Sequence, residues 1–391
     1  MTTRPACLRA FSLALALPAL LLPTLAAETP GATRDGGVKL SGVAETTAFA
    51  GHSPLGGWYS GFEQFANVRL TAPVGEIGTF NAAANLLASA GTENSFSAEG
   101  EFERLYVSFR AGRFDVDAGL MRVPFGYAHA FRPTDILNAA NPLHPDARLA
   151  GVLGALGAWY VGEETRLAAF VSDRAAVDAY DEAGSVDPLS DPGSRPLGGL
   201  MFETHSPRYS AQVLLAARAP ESDATVPEIR AGASLKVEAV VGLVADALLF
   251  TDGTTAPSAR GASSWVKAAV GADYSFLDGE LYVLGQYYYN GARVPAGEVS
   301  DFYRRHYLFA NLLWKASDYT RAGLSALVSL EDGSFAPTLD FEHDLTRGVV
   351  LSAEGRAFID AGDLGLGRRG EFGSAGVGTT ATFAFKATVR F

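Results

Sequence analysis

The sequence predicts an all-β fold: a transmembrane antiparallel β-barrel of about eighteen strands, with sixteen as the alternative, and with short periplasmic turns at one rim and long extracellular loops at the other. Three observations predict it. The chain opens on an export signal, stretches of about ten residues alternate apolar and polar side chains throughout, and the last of these stretches ends on an aromatic residue, Phe391.

The export signal comes first. Arg4 and Arg9 precede an apolar run from Ala10 to Leu22, which gives way to Pro23-Thr24-Leu25-Ala26-Ala27. A basic start, a short apolar core and a small-residue end mark a cleaved secretory peptide, here residues 1–27. The run is shorter than the roughly twenty apolar residues a spanning helix needs. A short periplasmic segment, 28–37, is expected to follow, and the barrel to occupy 38–391. Cys7 is the only cysteine and lies inside the signal, so no disulfide or thiolate chemistry is expected afterwards. The formal charge is −12, and losing Arg4 and Arg9 makes the mature chain more acidic still. Such a chain is a poor binder of nucleic acid.

Period-two alternation then supplies the strands. In Glu228 to Val237, Ile229, Ala231, Ala233, Leu235 and Val237 share one face, while Glu228, Arg230, Gly232, Ser234 and Lys236 share the other. The stretches 264–276, 320–331 and 348–360 repeat this pattern. A single such strand suits a soluble sandwich equally well. Many in succession, with charges on the second face, suit a wall between lipid and a watery lumen. The expected spans are 38–48, 63–73, 78–90, 101–111, 113–123, 153–161, 164–172, 197–206, 208–218, 228–237, 239–251, 264–276, 280–290, 304–316, 320–331, 335–345, 348–360 and 376–391. From the second strand on, alternate connections are short, such as Gly112, Ser206-Pro207 and Leu277-Asp278-Gly279, and those between are mostly long. That asymmetry gives an even strand count.

The closing stretch places Phe383, Phe385, Ala387, Val389 and Phe391 on the lipid face. A last strand ending in Phe resembles the signal by which the barrel-assembly machinery recognises its clients. Trp58, Trp159, Tyr287, Tyr289 and Trp314 fall near strand ends, where amphipathic rings suit the headgroup zone.

The insert 124–151 carries the residues of most functional interest. Ala111-Gly112-Arg113-Phe114, with Arg122-Val123-Pro124-Phe125-Gly126, resembles the strand-and-mouth signature of phosphate-selective-type porins. Pro133-Thr134-Asp135, with Asn141-Pro142, is similar to a loop of alginate-export-like eighteen-stranded barrels. The resemblance covers about forty residues in detail and is architectural elsewhere. It implies a third loop folded into the lumen as a constriction. Ile136, Leu137 and Leu143 would then anchor the loop, and Arg132, Asp135, Asp146 and Arg148 would face the pathway. Opposed charges at such a place orient and select small polar solutes.

Alternation also puts Arg110, Asp115, Asp117, Arg230, Arg321 and Arg356 on the lumen side. The inward set is mixed with a slight basic excess, which favours anionic or zwitterionic solutes. For any one of these residues a wall ion pair is the competing role. No catalytic or metal motif stands out among the six histidines, and neither a cofactor nor a metal is expected. The acidic insert 173–196 reads as a solvated loop rather than a Ca²⁺ site. The expected function is passive diffusion of small hydrophilic solutes. A plugged barrel that exports or anchors surface polysaccharide is the alternative, and a barrel lipid hydrolase a more distant one. Outer-membrane lipid, lipopolysaccharide and a homotrimer are the expected partners.

Overall fold

The computed structural model describes residues 37–54, 56–92, 96–138, 142, 151–173, 196–219, 227–251, 264–291, 302, 304–359, 371–372 and 380–391. The signal segment 1–27 lies outside them. Eighteen strands follow one another: β1 (Lys39–Ser53), β2 (Gly57–Val74), β3 (Gly78–Gly91), β4 (Phe96–Ala111), β5 (Phe114–Met121), β6 (Val152–Tyr160), β7 (Thr165–Ser172), β8 (Leu197–His205) and β9 (Tyr209–Arg218), then β10 (Glu228–Glu238), β11 (Gly242–Thr251), β12 (Ser264–Phe276), β13 (Leu281–Asn290), β14 (His306–Lys315), β15 (Thr320–Ser329), β16 (Phe335–Thr346), β17 (Val349–Ala357) and β18 (Ala381–Arg390).

Each strand pairs antiparallel with its sequence neighbours, and β1 pairs with β18 from Val43–Arg390 to His52–Ala381. The sheet therefore closes on itself, and no strand is left with an unpaired edge. Gly42 makes the seam possible. Its amide donates to the Phe391 carbonyl at 2.8 Å, the Phe391 amide donates back at 3.0 Å, and a Cβ at Gly42 would stand 2.5 Å from the Phe391 ring.

Side chains alternate as expected. Leu200, Val213, Leu215, Leu339, Phe383 and Phe385 point outward and are more than half exposed. Water would penalise so continuous an apolar belt, whereas lipid tails would cover it. Among the described residues, no helix is long and apolar enough to cross a membrane.

The first hairpin runs further than its sequence suggests. β1 continues to Ser53 and β2 starts at Gly57, against expected limits of 48 and 63. Gly51 interrupts the alternation, but the Tyr59 ring lies over it, 2.4 Å from where a Cβ would sit. An aromatic covering a strand glycine restores the packing that the glycine lacks. β4 holds a second surprise. Arg104 pairs with Ala83 and Phe102 with Ala84, so Glu103 is the extra residue of a bulge. The bulge turns Glu103 and Arg104 to the same inner side, where strict alternation would separate them.

Loops L1 to L9 are numbered in chain order at the long-connection rim, and the opposite rim carries the turns. L3 (122–151) follows β5, L7 (291–305) follows β13, L8 (330–334) follows β15 and L9 (358–380) follows β17.

Candidate functional site

L3 turns inward and lies along the wall. Its Val123, Phe125, Ile136 and Leu137 are buried against lumen-facing Phe170, Met201, Leu214 and Leu248. Ile136 and Leu137 thus take up the anchoring positions the sequence suggests, while Leu143 lies outside the described residues. The loop backbone has no ladder partner here, and amides shut away from water need acceptors. Wall side chains supply them in sequence. Gln212 of β9 accepts from the Gly126 amide at 2.9 Å. Asp246 of β11 accepts from the Tyr127 and Ala128 amides at 3.2 and 3.3 Å, and from the Thr134 hydroxyl at 3.2 Å. Gln286 of β13 accepts from the His129 and Ala130 amides at 3.2 and 2.8 Å, and its own amide donates to the Phe131 carbonyl at 2.7 Å. Tyr127 adds a hydroxyl bond to Glu203 at 3.0 Å.

Gly126 fits this seat for two reasons. Its φ is +82°, a region costly for other residues. A Cβ there would also sit 2.4 Å from an Asp246 carboxylate oxygen and 2.3 Å from the Thr134 hydroxyl.

Where L3 leaves β5, positive charge collects. The bulge carboxylate Glu103, 9 % exposed, receives Asn67 at 2.9 Å, Arg104 at 3.2 Å and Arg122 at 3.8 Å. Arg69 donates to Asn67 at 2.6 Å. Burial and then the Arg104 charge hold the proton affinity of Arg122 below the usual guanidinium range, and Arg132 pushes the same way. Arg122 is thus within electrostatic reach of Arg104 and Arg132 and of the carboxylates Glu103 and Asp135, and Glu103 is bonded to both Arg104 and Arg122. The Arg104 Nε is buried without a hydrogen-bond partner among the described residues.

Asp135 departs from its expected place on the pathway. It is 4 % exposed, tucked inside L3, where it accepts from the Asn138 amide at 3.1 Å. The Asn138 side chain in turn accepts from the Val123 amide at 2.8 Å, so the carboxyl closes the loop on itself. Burial pushes its pKa up from 3.8 to about 7. A carboxyl raised in this way holds more protons docked than released, so docking is strongest at low pH and weakens as pH rises from about 4 through about 7. Open-channel noise should accordingly grow between pH ~4 and ~7. Asp135→Asn should flatten that dependence, and an equally steep profile in the variant would remove Asp135 from the explanation.

The other expected pathway residues do not converge on the loop. Arg110 faces Asp115 at 3.8 Å, Asp115 also receives Tyr160 at 3.2 Å, and Asp117 receives Ser108 at 2.5 Å, all towards the turn rim. Arg321 is paired with Glu342 near the same rim. Arg230 is buried towards the loop rim, bonded to Glu228 at 2.5 Å with its guanidinium 4.8 Å over the Phe250 ring. Arg356 bonds Glu354 at 2.8 Å and Thr338 at 3.1 Å. All six face inward as wall ion pairs and hydrogen bonds, divided between two rims. Asp146 and Arg148 lie outside the described residues. Sequence reasoning overlooked Asp246, Gln212 and Gln286 as loop holders, and Glu103 with Arg122 as the charge centre. Asp246 is the one charged residue of β11, and Gln286 interrupts the apolar and aromatic run of β13, and that was the available signal.

A closed antiparallel barrel with a third loop laid inside its lumen is the porin fold. Neither a family model nor a curated protein sequence matches the chain. Solved structures do. Acinetobacter baumannii OccAB4 is similar over 92 % of this chain and 100 % of its own, with a TM-score of 0.58 at 6 % identity. A. baumannii OccAB1 is similar over 93 % and 99 %, with a TM-score of 0.55 at 13 % identity. Salmonella typhi OmpF, solved with daunomycin, is similar over 92 % and 99 %, with a TM-score of 0.51 at 11 % identity. Likeness at such identities establishes the fold these outer-membrane porins share with the chain.

Proposed function

We propose that the protein is an outer-membrane channel for passive diffusion of small hydrophilic solutes, with a preference for anionic ones. The observation that carries the preference is the group Arg104, Arg122 and Arg132 beside the inward loop, with one bulge carboxylate between them. Acidic side chains gather elsewhere on the wall. Asp340 and Glu354 are directly opposed across β16 and β17, and Arg356 on the same strand bonds Glu354, so charges of both signs line that arc of the lumen. Opposed charges around one lumen set a local field that orients a polar solute. The outward apolar belt supports a seat among outer-membrane lipid and lipopolysaccharide, reached after removal of the export signal. Phe391 would serve the assembly machinery, and a homotrimer is compatible with the closed outer face.

Reconstitution of the mature chain in planar bilayers tests the proposal. Ohmic single-channel steps with a reversal potential shifted towards the anion are expected in a salt gradient. A silent bilayer together with oligosaccharide binding would favour the polysaccharide reading, and a cation-selective step would reverse the charge assignment.

A further inference from the structure

The aromatic side chains at the loop rim belong to different loops and meet in one body. Phe131 at the far end of L3's inward run stacks on Tyr288 of β13 at 4.2 Å and 9°. It also meets Phe302 of L7 at 5.2 Å, edge to face. Phe302 in turn lies against Tyr307 of β14 at 5.3 Å and against Phe372 of L9 at 6.1 Å. Phe131, Phe302, Tyr307 and Phe372 are all buried.

A polar frame holds these rings. Tyr307 donates its hydroxyl to the Glu371 carboxylate at 2.8 Å, while the Arg304 amide donates to that same hydroxyl oxygen at 2.7 Å. The Arg304 guanidinium bonds Asp332 of L8 at 3.0 Å, and the Glu371 amide bonds Asp332 at 3.1 Å. The Phe372 amide reaches the Ser334 hydroxyl at 3.1 Å. Asn290 fixes the Phe302 carbonyl at 2.7 Å. Glu371 is 4 % exposed, so its carboxylate depends on these partners. A buried carboxylate stays in place only while it is hydrogen-bonded.

We infer that the narrowing of the lumen is the joint product of L3, L7, L8 and L9, and that Glu371 is the positioning residue that carries L9 into it. The described residues of L3 cover the wall from β7 to β13, and the ring body covers it from β13 to β16. Among the described residues both bodies lie on the arc from β7 to β16, which displaces the passage towards the opposite arc, where Arg69 and Arg104 stand. This inference rests on the channel reading and extends it from one loop to four.

Single-channel recording of the full mature chain tests it. Glu371→Ala removes the acceptor at the centre of the frame and should raise conductance roughly 1.5-fold or more, with added current noise. Glu371→Gln keeps an acceptor for Tyr307 and should remain near the unaltered protein. Tyr307→Phe keeps the ring but loses the hydroxyl, and should move in the same direction as Glu371→Ala. The anion-to-cation ratio should not change, because the arginine group lies elsewhere. Hydrogen exchange of the Arg304 and Phe372 amides should speed up in Glu371→Ala while the strand amides remain protected. Faster exchange with unchanged conductance would mean that L9 is clamped but does not bound the passage, and would overturn the inference. Unchanged exchange would overturn it too. A silent unaltered protein contradicts the channel reading itself, a result distinct from either.

Discussion

Asp246→Ala is expected to raise single-channel conductance at least about twofold and to make the open current noisy. One carboxylate takes three hydrogen bonds from L3, two from amides and one from Thr134. Bonds to a charged acceptor are worth about 1.5–3 kcal/mol each, and buried amides left without an acceptor cost about 1–3 kcal/mol more apiece. The Phe125 patch and Gln286 still hold the two ends of the segment, so the barrel itself should fold and keep its heat-modifiable gel mobility. Lifting the stretch around Tyr127 and Ala128 into the watery mouth is then cheaper than keeping it docked with bare amides. Asp246→Asn retains an acceptor oxygen and should stay close to the unaltered protein. Equal conductance in all three proteins would mean that L3 does not limit the passage.

Arg122→Ala with Arg132→Ala should lower the anion-to-cation permeability ratio several-fold. At roughly 5 Å, with water-like screening, a unit charge acts on a passing ion by about 0.8 kcal/mol, which is about a fourfold change in partitioning. Two charges lost together exceed that, and Glu103 then loses one of its two arginines and adds uncompensated negative charge. Arg122→Lys with Arg132→Lys keeps the charges and should keep most of the ratio. The effect should shrink at high salt, as screening shortens the reach of each charge. A ratio unmoved by the alanine pair would mean that Glu103 and the wall already neutralise the group.

Much of the barrel was legible because lipid imposes a simple rule. Ile229, Ala231, Ala233 and Leu235 must all face one way, and a shift by one residue would bury Arg230 and Lys236 in oil. Most strand limits therefore agree with the alternation to within a few residues. The exceptions lie where something other than lipid decides. Gly51 hides a hairpin that Tyr59 completes, and Glu103 breaks the parity of β4 at a bulge no propensity marks.

The site was less legible for a related reason. Alternation tells inside from outside, but it does not tell open lumen from lumen filled by a loop. Phe170, Met201, Leu214 and Leu248 sit on inward positions expected to be polar, and each of them seats L3. Tyr288, Tyr307 and Leu327 do the same for the four-loop body. Inward apolar residues thus mark where loops dock. Asp135 was misplaced because loop sequences carry no periodicity to orient them. It binds the Asn138 amide while the Asn138 side chain takes the Val123 amide, contacts visible only once the loop is folded.

The account stands on L3 lying inside the barrel and against β10. Thr134 and Ser234 have hydroxyl oxygens 2.9 Å apart, and Cys7 of the signal segment is the only cysteine in the sequence. In the folded protein in detergent, Thr134→Cys with Ser234→Cys is expected to oxidise to a single disulfide, read by mass spectrometry of the joined peptides. Two thiols that stay reduced under mild oxidant and react freely with maleimide would place the loop elsewhere and contradict the account.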